Sequence, residues 1–136
     1  MTIALQFTNV TVNDVDEAIG FYRDALGLDV QNDVSSGGHR WVTLGTPAQP
    51  GLGIVLSDPH AGRSQADGDT MQELLTKGVL PMLVFNTDDL DATFETVRAA
   101  GAEVLQEPMD MGWGQRDCAF RDPSGNMVRI AQAAAA

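Results

Sequence analysis

Arg129 stands in the segment MVRI, residues 127–130, a permanent cation set among apolar residues. A guanidinium keeps its proton in a protein and presents its donors in a flat fork suited to carboxylate or phosphate oxygens. Strand side chains alternate faces, so Arg129 shares one side with Met127 while Val128 shares the other with Ile130. An arginine on a partly dry face needs an anionic partner. Two are open: a carboxylate, phosphate or enolate on a ligand, or an internal acid such as Asp117. Asp is a competent base and Arg a competent oxyanion stabiliser, so the same two residues could also support acid–base chemistry. Trp41 in GHRW and Trp113 in the glycine-bearing GWGQRD could stack on a flat ligand or pack at a rim. Asn9, Thr11 and Asn86 could orient a polar ligand or hydrogen-bond one another. Cys118 has no histidine near it in sequence, which favours an inert buried thiol. His39 precedes a strand and His60 lies in a connector, where a histidine is ordinarily solvated. The chain contains no phosphate loop, G-x-S-x-G or Cys-x-x-Cys motif.

An internal repeat supplies the elements that position these groups. NDVDEAIGFYRDALGLDV at 13–30 matches DDLDATFETVRAAGAEV at 88–104. Asp14 aligns with Asp89, Asp16 with Asp91, Arg23 with Arg98 and Ala25 with Ala100. One residue then drops out, and Gly27 aligns with Gly101 and Val30 with Val104. Downstream, GHRW at 38–41 matches GQRD at 114–117, so the matches keep a spacing of about half the chain, as in a duplicated module. Each copy reads as strand, helix and three further strands. Asp14 and Asp89 open the helices as caps, and Gly27 and Gly101 end them where a left-handed backbone is favoured. Val15, Ile19, Tyr22 and Leu26 form one stripe; Leu90, Phe94 and Val97 form the other. DVQNDVS, RWVTLGT and LGIVLS follow the first helix as strands, and EVLQEP, RDCAFR and MVRIAQ follow the second. Asp122 to Gly125 carry turn chemistry before the last strand. Module one is placed at 1–57, a polar connector with a short helix near Met71–Leu75 at 58–80, and module two at 81–132.

The order βαβββ twice predicts an α+β fold with helices on one face of mostly antiparallel sheets. Thr8, Val10, Val12, Leu83, Phe85, Val128 and Ile130 then face the helices. Phe7, Asn9, Thr11, Val55, Met82, Val84, Asn86, Met127 and Arg129 line the other face, which is apolar enough to suggest a cavity. Hydrophobic content of 43% is that of a globular chain. The net charge of −11 disfavours nucleic acid and anionic membranes. A single cysteine excludes an intrachain disulfide framework, and the N-terminus lacks the pattern of a signal peptide, so a cytoplasmic protein is expected.

TVNDVDEAIGFYRDALGLDV, its second-half counterpart and FRDPSGNMVRI closely resemble the vicinal oxygen chelate superfamily, which includes glyoxalase, bleomycin-resistance proteins, fosfomycin-resistance enzymes and extradiol dioxygenases. The resemblance implies two βαβββ modules forming a U-shaped, partly open barrel over 1–136, in a homodimer. It also implies four strand positions that hold a divalent ion in the metal-dependent members, here Phe7, Val55, Met82 and Arg129. Phe and Val have no lone pair to give, Met suits only soft ions, and Arg is a cation. The expectation is therefore a metal-independent, cofactor-free protein that binds a small molecule, such as an antibiotic or secondary metabolite. Its binding residues would be Phe7, Asn9, Trp41, Val55, Met82, Trp113, Asp117 and Arg129. The alternatives are a lyase-, isomerase- or dioxygenase-like enzyme with a degenerate or metal-free site, and a scaffold whose cavity is filled by Phe7, Met82 and Met127.

Overall fold

Asp14 and Asp89, the paired aspartates of the repeat, each cap a helix. Their carboxylates accept from the backbone N–H of Glu17 and Ala92, both at 3.1 Å. The first helix, α1 (Val15–Ile19), continues into a π-helical turn over Gly20–Ala25, where Leu26 N–H donates to the Phe21 carbonyl at 3.1 Å. This wider turn puts the neighbours Phe21 and Tyr22 into the core together. A stripe of period 3.6 places Tyr22 inward and leaves Phe21 to one side. Gly27 and Gly101 follow the helices with φ of +80° and +94°, the left-handed backbone expected of them.

The computed structural model describes residues 1–134; residues 135 and 136 of the expected domain lie outside the described residues. In module one, β1 (Phe7–Thr11), β2 (Asp29–Ser36), β3 (His39–Gly45) and β4 (Gly53–Ser57) form a sheet in the order β1-β4-β3-β2. In module two, β5 (Leu83–Thr87), β6 (Glu103–Asp110), β7 (Arg116–Arg121) and β8 (Met127–Gln132) repeat it as β5-β8-β7-β6. The pairs β1–β4 and β5–β8 are parallel and the rest antiparallel. The fold is α+β as expected. The barrel is open: among the described residues no strand of one sheet pairs with the other, and β1 and β5 are free edges.

The ladders confirm the repeat residue by residue. Asn9 pairs with Val55 and Val55 with Thr43; in the second sheet Val84 pairs with Arg129 and Arg129 with Ala119. Val55 and Arg129 are therefore equivalent, as are Asn9 and Val84, and two residues upstream Phe7 and Met82. Val10, Ile54, Leu44, Phe120 and Val128, helix-facing strand residues of both modules, join one continuous core with α1 and α3 (Leu90–Ala99). Thr8 departs from expectation. It is exposed at the start of an edge strand that has a neighbour on one side only. Met82 lies just before β5, after Pro81, which has no N–H to give a ladder.

The connector holds more helix than Met71–Leu75. In α2 (Gln65–Lys77), Ser64 caps the N-terminus by accepting from Asp67 N–H at 3.1 Å, and Gly78 ends the helix at φ +72°. Gly68 within it has a packing reason: a Cβ there would collide with the His60 ring. No helix among the described residues is long and apolar enough to cross a membrane.

The turn at Asp122 does more than reverse the chain. Asp122 is buried, and its carboxylate accepts from Ser124 N–H and Asn126 N–H at 2.9 Å, Asn126 Nδ2 at 3.0 Å and the Tyr22 hydroxyl at 2.7 Å. Asn126 Nδ2 also donates to the Thr11 carbonyl at 2.9 Å, and Asn13 N–H donates to Ser124 Oγ at 2.8 Å. Module two's turn thereby grips module one at the π-helical turn and at the end of β1. Burial, and then the charge of Asp122, push the Tyr22 phenol far above its ordinary range. Tyr22→Phe removes a hydrogen bond to a buried charge, so it should lower unfolding free energy by about 1.5–3 kcal/mol in a urea titration. A variant as stable as the parent would show that this bond does not help join the modules.

Candidate functional site

Arg129 on β8 lies opposite Ala119 on β7, and Ala119 lies opposite Gln106 on β6. The small alanine leaves space over the sheet, and the two long side chains meet above it. Arg129 Nη2 donates to Gln106 Oε1 at 3.0 Å. Asp117, on the same face and two residues along β7, accepts from Arg129 Nε at 2.9 Å and Nη2 at 3.0 Å. Gln106 Nε2 completes the triangle, donating to Asp117 Oδ1 at 2.9 Å and to the Asp117 carbonyl at 3.2 Å. Breaks in the regular pairing of β6 on both sides of Gln106 accompany its place in the row.

Of the two partners open to Arg129, the internal acid is present. The Asp117 side chain is 7% exposed and that of Arg129 19%. Hydrogen bonds from Arg129, working against burial and helped by Gln106, hold the Asp117 carboxyl below the usual carboxylate range. The remaining nitrogen, Arg129 Nη1, makes one contact among the described residues, with Met127 Sδ at 3.9 Å. A thioether is a weak acceptor, so Nη1 retains donor capacity.

Around this triangle the face is methionine-rich. Met109 lies opposite Asp117, Met111 Sδ lies 3.5 Å from Gln106 Nε2, and Met82 precedes Val84, the ladder partner of Arg129. Met82 and Val84 are 54% and 62% exposed. The equivalent positions of module one hold no ion pair. Val55 replaces Arg129, Trp41 replaces Asp117 and Thr43 replaces Ala119, with Asn9 and the half-exposed Phe7 on edge strand β1. The structure thus joins Asp117 to Arg129 directly and aligns Phe7, Asn9, Trp41 and Val55 on the face of module one away from the helices, where Val55 is buried, and Met82 on the corresponding face of module two. Trp113 stands apart, 67% exposed in the β6–β7 hairpin loop. Gln106 was not among the expected site residues. Its signal was a polar side chain at an open-face position of EVLQEP, detectable only once the register across Ala119 is known.

The four positions that a metal would use do not fit a divalent ion. Arg129 brings a positive charge already tied to Asp117, and Phe7 and Val55 bring no donor. Elsewhere, among the described residues, no three His, Cys, Asp or Glu side chains gather as a metal site. His39 pairs with Asp58 and His60 with Asp69, each at 2.8 Å. Cys118 is fully buried on the helix-facing side, where burial and the nearby Asp117 push its thiol up to about 11. Two cavities of about 570 and 550 Å³ are lined by none of the three residues of the triangle. The first separates Phe21 on module one from Gly101 and Ser124 on module two; the second reaches Val84 and Asn86 from Leu28 and Gln49.

Two repeated βαβββ sheets with an open, functionalised face define a duplicated-module binding or catalytic fold. The chain belongs to the Glyoxalase/Bleomycin resistance protein/Dioxygenase superfamily, whose pattern it matches over residues 4–130. The structure resembles that of UcmS2, at 30% identity and a TM-score of 0.86, covering 98% of this chain and 100% of that one. It also resembles TnmS3, an antibiotic binding protein from Streptomyces sp. CB03234, at 26% identity and a TM-score of 0.75, covering 98% and 99%. In sequence it is 26% identical to a probable lactoylglutathione lyase of Vibrio cholerae serotype O1 over 128 residues, 92% of this chain and 87% of that protein.

The ion pair sets a pH dependence. The depressed folded-state pKa of Asp117 contributes stability that is fully present above the unfolded value of about 3.9 and is lost as pH falls through the folded value. Asp117→Asn should therefore cost about 3–5 kcal/mol near neutrality, and the deficit should shrink below about pH 4. Urea unfolding of both proteins from neutral to acid pH checks this. A deficit independent of pH would assign the loss to packing.

Proposed function

We propose that this chain is a small-molecule binding protein that sequesters an antibiotic or other secondary metabolite on its open sheet faces, without a divalent ion. The observation that carries this reading is the Arg129–Asp117–Gln106 triangle, standing where a metal ligand would be and bordered by exposed methionine and valine. Such a face offers apolar area for a ligand and one oriented donor, which is what a binding site needs. TnmS3 supports the reading as a neighbour of the same fold that binds an antibiotic. The lactoylglutathione lyase relatives keep an enzyme in view. Asp117 is nevertheless a poor general base, because Arg129 and Gln106 occupy its oxygens and hold its proton affinity low.

The active form in this proposal is a cytoplasmic homodimer. Strands β1 and β5 leave backbone donors and acceptors on free edges. A second copy would cover these edges. Light scattering at micromolar concentration should report a dimer, and a monomer throughout that range would contradict the assembly.

Native mass spectrometry of the freshly purified protein tests the binding itself: a retained small molecule is expected. Added Ni, Zn, Mn or Fe should leave the melting temperature unchanged, since an ion bound only by the folded state would raise it. A stoichiometric metal in elemental analysis, together with such a rise, would instead establish a metal protein.

A further inference from the structure

Resting on the binding reading above, the geometry points to the charge class of the ligand. We propose that the module-two face takes an uncharged molecule presenting a carbonyl-type oxygen to Arg129 Nη1, and that it discriminates against carboxylates and sulfonates. An isolated arginine would call for an anion, but this one already has its anion. Asp117 binds Nε and Nη2 at 2.9 and 3.0 Å and cancels the guanidinium charge within the sheet face. Gln106 occupies the rest of Nη2 and contributes no charge. The other arginines of this sheet are also matched: Arg116 with Asp91 at 2.9 Å, and Arg121 with Glu103 at 3.5 Å. A second carboxylate at the triangle would face Asp117 with no unpaired cation beside it, in a chain of net charge −11.

What the triangle leaves available is a donor. Two N–H groups of Nη1 face one weak acceptor, Met127 Sδ at 3.9 Å. A neutral oxygen gains a charge-assisted hydrogen bond there without the desolvation cost of an ion. Met82, Val84 and Met109 flank the site with exposed apolar surface that favours an uncharged body. Gln106 is the positioning residue: by bonding both Arg129 and Asp117 it holds the fork that leaves Nη1 free.

The test uses fluorescence titration with three probes. Anilinonaphthalene sulfonate and phenylnaphthylamine share an aromatic body and differ by the sulfonate, while Prodan is a neutral naphthyl ketone. The wild-type protein should bind phenylnaphthylamine more tightly than its sulfonate, and Asp117→Asn, which frees the guanidinium charge, should reverse that order. Arg129→Met should weaken Prodan by about tenfold and shift its bound emission to the blue, with phenylnaphthylamine unaffected. Circular dichroism checks the fold of each variant, and the wild-type comparison decides the charge preference even if a variant unfolds. A wild-type preference for the sulfonate, or equal loss of Prodan and phenylnaphthylamine in Arg129→Met, would overturn the inference while leaving a binding site. Binding of none of the probes to the wild-type protein would overturn the binding reading and this inference together.

Discussion

The buried carboxylate of Asp122 is the constraint on which the arrangement of the molecule depends. The two sheets share no strand ladder, so nothing in the backbone pairing sets one module against the other. Their helix-facing residues form one core, but apolar contact is non-directional and tolerates sliding. Asp122 adds direction. It takes donors from its own turn and from Tyr22 of the other module, while Asn126 and Ser124 reach the backbone at Thr11 and Asn13. A buried charge with its acceptor sites satisfied tolerates little displacement, because each lost donor leaves a desolvated oxygen uncompensated.

With the helix sides locked together, the open sheet faces are free to diverge. The repeat shows this position by position. Val10 and Phe85 stay apolar at equivalent helix-facing sites, as do Ile54 and Val128. On the open side, Trp41 corresponds to Asp117 and Val55 to Arg129. One copy thus places Trp41 and Val55 where the other places an internally neutralised ion pair within methionines. Ala119 is as important to that outcome as the charged residues. A larger side chain in the middle of the row would separate Arg129 from Gln106 and leave the guanidinium to find another partner.

Much of the fold was legible in the sequence because it rests on local chemistry. Asp14 and Asp89 with their following stripes mark the two helices, and alternation marks the strands. The ladder register bears out the equivalence of Phe7 with Met82 and of Val55 with Arg129. What escaped depends on contacts between distant segments. The π-helical turn at Gly20–Ala25 follows from packing Phe21 and Tyr22 together, which no single-helix period reports. Asp122 reads as a turn former, and its second role appears only when Tyr22 is brought to it across the core. The α2 start at Ser64 was obscured by Gly68, whose tolerance there comes from the His60 ring above it. For the site, strand parity placed Arg129 on the open face, but the choice between a ligand anion and Asp117 needed the β7–β8 register, and Gln106 needed β6 as well.

The proposed function puts a small molecule on the module-two sheet face, beside Arg129. A nitrogen–proton correlation spectrum that includes the Arg129 Nε–H, recorded while Prodan is titrated into the protein, tests that placement most directly. The Arg129 Nε–H, the Gln106 side-chain amide and the backbone of Met82 to Asn86 should shift together. Shifts gathered instead at Phe21, Gly101 and Ser124, around the cavity between the helix and the turn, with the Arg129 signal unmoved, would contradict it.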